Sequence, residues 1–258
     1  MSGGKLAIGV TVVGLGISVL AGALVVGNPA ALLRSAYTHP ETAAAPSGPY
    51  YPQPERLPPY SQVALTGDAR LGEQIFNRGG GGGVAACSTC HGAQGVPVAG
   101  APYPRLAGLS ADYVAKQLYD YASGERTNEQ MRPFAKALSP VEIGAVATFV
   151  ATLKAPETEL SSPAQVERGR QIAEIGDNAH AIPACGACHG LAGRGQGDML
   201  PPLAGQPRAY ILSQFNAWRA DRRQNDQVTV MHGIAQRMPV EDIEAVASYF
   251  ASLRQKGQ

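Results

Sequence analysis

Apolar residues are distributed along this chain in three successive ways. From Leu6 to Val26 they form a run of 21 residues without a charge, LAIGVTVVGLGISVLAGALVV, bounded by Lys5 and later by Arg34. That length spans a bilayer core of about 30 Å. Residues 28–63 then carry eight prolines, from Pro29 to Pro59, with no apolar period, as expected of an extended tether. Beyond them helical periodicity takes over. Ile143, Val146, Phe149, Val150 and Leu153 fall on one helical face, and Ile243, Val246, Phe250 and Leu253 repeat the pattern near the C-terminus. Ser139-Pro140-Val141-Glu142 supplies the earlier of these helices with a cap residue, a proline at its first position and a glutamate three residues after the cap. Met238-Pro239 stands there in the later copy, which predicts a helix start without a good side-chain cap.

The recurrence extends over the whole C-terminal three quarters of the chain. Arg70-Leu71-Gly72-Glu73-Gln74-Ile75 matches Arg168-Gly169-Arg170-Gln171-Ile172 around a shared glycine, and Pro104-Arg-Leu-Ala-Gly108 matches Pro201-Pro-Leu-Ala-Gly205. Tyr113 to Leu118 aligns with Tyr210 to Phe215, and Met131 with Met231. The chain is thus a tandem duplication. Each half reads as helix, cysteine motif, loop, helix, loop, helix. No alternating strand pattern of useful length is present, so the expected class is all-α. We divide the chain into an N-terminal segment 1–27, a Pro-rich linker 28–63 and two domains, 64–155 and 161–258.

Composition sharpens this picture. Hydrophobic residues make up 45% of the 258 residues but aromatic ones only 6%, and Gly and Pro together are about a fifth. Two cores of this size are thin and loop-rich and call for a staple. The four cysteines occur only as Cys87-Ser-Thr-Cys90-His91 and Cys185-Gly-Ala-Cys188-His189. Two cysteines three positions apart present their sulfurs on one side of a turn, where they can form thioethers to the two vinyl groups of a haem, and the following histidine reaches the iron. A zinc site needs four tetrahedral ligands, and these pairs are far outside finger spacing. A thioredoxin-like pair needs a strand before it, and neither copy has one. The reading is two covalently bound haem c groups, through Cys87, Cys90, Cys185 and Cys188, with His91 and His189 as axial ligands.

Methionine thioether is the soft ligand expected opposite histidine. Met131 and Met231 lie at matching repeat positions before the terminal helix of each half and are assigned as the second axial ligands. Met238 aligns with Leu138 and is read as packing, Met199 as surface or gap-filling, and His39, His180 and His232 as ordinary loop histidines. Pro104 and Pro201 are candidates to offer their backbone carbonyls to the second ring nitrogen of each ligating histidine. Gly79 to Gly83 reads as a surface loop, since it lacks the Lys-Ser/Thr of a phosphate-binding loop. Closed coordination at both irons favours electron transfer over a dihaem peroxidase, which needs one haem open to substrate. Net charge is +1 with both signs interspersed, which speaks against nucleic acid.

The two Cys-x-x-Cys-His motifs, the Pro-x-Leu-Ala-Gly segments and the paired methionines over residues 64–258 resemble the dihaem cytochrome c4 family. The resemblance implies two class I cytochrome c domains related by pseudo-twofold symmetry, with haem propionate edges facing each other. It further implies a periplasmic setting and single-electron transfer in a bacterial respiratory chain to a terminal haem-copper oxidase, with a quinol-oxidising complex as donor. The departure is the N-terminus. We read residues 1–27 as an uncleaved single-pass anchor in the inner membrane with the haem domains in the periplasm. Ala21-Gly22-Ala23 leaves a cleaved signal as the alternative. Membership of a membrane-bound periplasmic dehydrogenase or oxidase complex is the alternative function.

Overall fold

The computed structural model describes residues 57–155 and 166–253. The expected membrane helix and most of the expected linker lie outside them. Among the described residues no single helix is long and apolar enough to cross a membrane.

The first half contains six helices: α1 (Pro59–Thr66), α2 (Ala69–Arg78), α3 (Ser88–His91), α4 (Ala111–Ser123), α5 (Met131–Ala137) and α6 (Pro140–Thr152). The second contains α7 (Glu167–Glu174), α8 (Gly186–His189), α9 (Arg208–Arg219), α10 (Val230–Arg237) and α11 (Val240–Ser252). Between α7 and α8 two short strands, β1 (Gly176–Asp177) and β2 (Ile182–Pro183), pair antiparallel. Apart from this two-residue ladder the described fold is helical, as the apolar spacing predicts.

Each half closes around its own core. In the first, Phe76, Val114, Leu118, Ile143, Val146 and Val150 are buried together; in the second, Ile172, Phe215, Trp218, Ile243, Val246 and Phe250 are. The decisive crossing is that of the helix before the cysteine motif with the last helix, α2 on α6 and α7 on α11. The shared glycine of the repeat makes it possible. A Cβ on Gly72 would lie 2.0 Å from the Ala145 carbonyl oxygen, and one on Gly169 would lie 2.1 Å from that of Ala245. The backbones touch at these two points, and no larger residue fits.

Capping follows the sequence. Ser139 Oγ accepts from the Glu142 amide while the Glu142 carboxylate accepts from the Ser139 amide, a complete capping box, whereas α11 starts at Pro239 with no side-chain cap. Met238 is 1% exposed, the packing role expected of it.

Two expectations need correction. The linker does not run to residue 63, because Pro59–Thr66 is a helix. Pro58 is extended and Pro59 occupies the first turn, where a missing N–H costs nothing. Ser61 and Ala64 are buried, and Tyr60 and Val63 pack on the first core. Val63 sits so close to Gly144 that a Cβ there would lie 2.3 Å from its carbonyl oxygen. The short apolar face was hidden among prolines. Secondly, the stretch before each terminal helix is not all loop: it contains a short helix, α5 or α10, with Met131 or Met231 in its first turn.

Candidate functional site

The two cysteine motifs have the same backbone. Cys87 and Cys185 both take φ −59° and ψ −35°, and each starts a single helical turn. The His91 amide donates to the Cys87 carbonyl at 3.0 Å, and His189 to Cys185 at 2.9 Å. This bond sets the histidine one turn beyond the first cysteine. The residue after each histidine is glycine at positive φ, 78° at Gly92 and 74° at Gly190. A Cβ on Gly92 would lie 1.9 Å from the Val96 carbonyl oxygen, so the chain folds back tightly after the motif. None of the four cysteines is in a disulfide. Burial pushes the thiols of Cys87 and Cys185 up to about 11, which makes them poor thiolate nucleophiles when free.

Both histidine rings are fixed from behind. His91 Nδ1 donates to the Pro104 carbonyl at 2.9 Å and His189 Nδ1 to the Pro201 carbonyl at 2.8 Å. A carbonyl only accepts, so Nδ1 carries the proton and Nε2 keeps its lone pair for a metal. Burial lowers both histidine pKa values, the carbonyl bond working against it, and the Arg223 cation lowers that of His189 further. Tyr103 stands beside His91, ring centroids 6.1 Å apart. The Leu-Ala-Gly that follows each proline is tied down by backbone bonds: Leu106 and Ala107 to Gly95, Gly108 to Leu153, Leu203 and Ala204 to Gly193, Gly205 to Phe250. The repeated Pro-x-Leu-Ala-Gly segment is therefore a rigid backing for the histidine.

Met131 and Met231 are both partly buried and pack on the core of their own half. Asn128 Oδ1 accepts from the Met131 amide at 2.9 Å and fixes the start of α5. His232 is half-buried, its amide donating to Asp226. Among the described residues one cluster has metal-like spacing, Asp177, His180 and Asp242. Arg168 spans both carboxylates, at 2.9 Å and 2.7 Å, which makes this a structural ion-pair group.

What sequence reading missed is the contact between the halves. Arg126 and Arg223, at equivalent positions, form an antiparallel bridge, flanked by Thr127 N–H to Arg222 O at 2.7 Å and Gln224 N–H to Glu125 O at 2.8 Å. Each guanidinium crosses to the other half: Arg126 donates to Tyr210 and Gln214, Arg223 to Tyr113. Arg126 lies over the Tyr121 ring at 4.6 Å and Arg223 over Trp218 at 4.2 Å. Beside this symmetric core sits a buried group on one side only. Lys116 Nζ donates to the Asn225 carbonyl at 2.9 Å, and the Asn225 amide donates to Asp120 at 2.6 Å and Gln117 at 2.9 Å. The residues could have been flagged by their repeat positions, but no periodicity marks a surface that meets another domain.

The donor set fits a haem in each half: two sulfurs and an imidazole Nε2 on one turn, with a partly buried thioether available from the same domain. Among the described residues, the buried side-chain polar atoms without a partner are Arg105 Nε and Nη1, Trp218 Nε1 and Asp226 Oδ1. Three of these four are donors, and the two on Arg105 stand next in sequence to Pro104, which backs His91.

Comparison with known proteins agrees. Residues 67–150 match the family model for cytochrome C oxidase, cbb3-type, subunit III, and residues 166–254 that for cytochrome c. The chain is 42% identical over 197 residues to the thiosulfate dehydrogenase electron acceptor of Stutzerimonas stutzeri, covering 75% of this chain and 91% of that one. It is 35% identical over 196 residues to cytochrome c4 of Thiocapsa roseopersicina, covering 73% and 94%. Among solved structures it resembles reduced cytochrome c4 from Pseudomonas stutzeri (TM-score 0.63, 30% identity, 73% and 100% covered). It also resembles thiosulfate dehydrogenase (TsdBA) from Marichromatium purpuratum (TM-score 0.66, 36% identity), covering 72% of this chain but only 40% of that one. Fold, motifs and relatives define a tandem c-type cytochrome with two covalently bound haem c groups. Within that class the chain belongs to the dihaem c4-type cytochromes.

Proposed function

We propose that this protein accepts electrons from a periplasmic dehydrogenase of the thiosulfate-oxidising kind and passes them, one at a time, toward a haem-copper oxidase. The observation that carries this reading is the 42% identity to a thiosulfate dehydrogenase electron acceptor, extending over 91% of that protein. Each bound haem supplies an iron that carries one electron by cycling between ferric and ferrous states. Cys87 and Cys90, and Cys185 and Cys188, hold the two groups. His91 and His189 present Nε2 to the irons while Pro104 and Pro201 fix their tautomer and orientation. Met131 and Met231, each partly buried in the same domain as its motif, would supply the second ligand to each iron, and such closed coordination would support transfer and not turnover of a small substrate. The uncharged run from Leu6 to Val26 is read as an inner-membrane anchor, and the proline-rich stretch after it as the tether of the periplasmic haem domains.

The test is reduction of the oxidised holoprotein by a purified thiosulfate dehydrogenase and thiosulfate, followed by growth of the ferrous α band. Rapid reduction of both haems is expected. Haems that stay ferric while the same dehydrogenase reduces ferricyanide would overturn the assigned donor. Fractionation tests the anchor: the haem protein should pellet with inner membranes and be released after deletion of residues 1–27.

A further inference from the structure

Arg105 is 2% exposed, yet its Nε and Nη1 meet neither an acceptor nor water-accessible space. We propose that this guanidinium holds a propionate carboxylate of the haem attached through Cys87 and Cys90, and that its charge raises the reduction potential of that haem alone. The proposal rests on the haem assignment.

An unpaired buried cation is among the most unfavourable groups a fold can contain, and native proteins pair it with an anion. Burial alone lowers the Arg105 pKa, with no carboxylate acting on it. The backbone around the side chain is locked. The Arg105 amide donates to Gln206 Oε1 at 3.0 Å, and Gln206 Nε2 donates back to the Arg105 carbonyl at 3.0 Å, so the residue is held at the contact between the halves. The two residues before it are committed to the first haem site: Pro104 binds His91 and Tyr103 stands beside its ring. The anion that this site receives is a haem carboxylate.

The second half has no arginine at the matching position, although its own buried Arg223 acts electrostatically on His189. Pro201 corresponds to Pro104, and the next residue there is Pro202, where the first half has Arg105. Its unpartnered buried donor is Trp218 Nε1, which is neutral. A guanidinium on a propionate opposes the extra positive charge of ferric iron and favours the ferrous state, and a buried position weakens solvent screening of that effect. The two haems, otherwise ligated alike, are thereby made inequivalent.

The experiment uses the full holoprotein and its Arg105→Gln and Arg105→Lys variants. Both midpoint potentials are read by an optically monitored titration, and each wave is assigned with Met131→His and Met231→His. Arg105→Gln should move the reduction equilibrium of the first haem at least tenfold toward ferric, a lowering of about 59 mV for a one-electron couple. The second wave should move less than threefold. Arg105→Lys should keep more than half of the wild-type effect, and the propionate-bending bands of one haem should change in resonance Raman spectra. If neither wave moves twofold at full haem content, the partner is a solvent ion or water and the proposal falls. It falls equally if the second wave moves instead. Should Arg105→Gln lose haem, the Raman bands of Arg105→Lys decide: unchanged propionate bands overturn the proposal. Absence of c-type bands from the wild-type protein would overturn the haem assignment itself.

Discussion

Single residues carry the cofactor chemistry, and they can be separated by what their loss would do. Met131→Ala or Met231→Ala leaves the covalent attachment intact and opens one iron. Each should give full haem content by pyridine haemochrome, one high-spin signal in the oxidised protein and loss of half the sulfur-to-iron charge-transfer intensity. Two low-spin haems in either variant would remove that methionine from the ligand set. Gly92→Ala should act differently, since its Cβ would fall 1.9 Å from the Val96 carbonyl oxygen at a φ of 78°. It should block formation of the turn behind His91 and cut the yield of protein with two haems. At this scale the backing of the histidines was legible, because the repeat gave every candidate a twin: pairing picked out the motif histidines and the two prolines that hold them, and it proposed the methionines, whose ligation the alanine variants decide. Arg105 was not, since the exchange of arginine for proline after Pro104 and Pro201 looks like ordinary loop variation until the side chain is seen buried without a partner.

Helices fix where those residues stand. The crossings of α2 on α6 and α7 on α11 tolerate no Cβ at Gly72 or Gly169, so alanine there should overpack the contact and destabilise the domain by about 1–3 kcal/mol. Chemical denaturation of the holoprotein measures this; an unchanged midpoint would show that the helices can separate freely. The capping box of α6 is a smaller effect: Ser139→Ala should cost about 1 kcal/mol. It also has a pH signature. Hydrogen bonds from Ser139 hold the Glu142 carboxyl below its ordinary value. A carboxylate with a depressed folded pKa contributes stability above its unfolded pKa of about 4.3, and loses it as pH falls through the folded value. The difference between wild type and Ser139→Ala should therefore shrink on acidification, and a constant difference down to low pH would exclude the carboxylate's part. Terminal helices were legible from their apolar faces. Helix α1 was not, because eight residues opening on Pro59 within a proline-rich stretch give too short a pattern, and its stability comes from docking on α4 and α6.

The two halves are held together by a polar contact, and this was the least legible level. Arg126 and Arg223 each bond across the boundary and stack on an aromatic ring, while the cores on either side remain separate. Removing either arginine strands buried tyrosine and glutamine partners, and Arg126→Ala should cost about 3 kcal/mol. It should split a cooperative unfolding curve into two transitions and raise the radius of gyration measured by X-ray scattering. A single unchanged transition would mean that the halves are joined elsewhere.

The bridge between Arg126 and Arg223 pairs a position with its own duplicate. An interface in which the same patch meets itself is isologous, the kind that two identical subunits form about a twofold axis. One domain with this patch could therefore have assembled with a second copy before the two were joined in one chain. Fusion then allowed what a homodimer cannot have: Lys116 and Asp120 of the first copy correspond to Ser213 and Ala217 of the second, so each side of the contact is free to change without forcing the same change on the other.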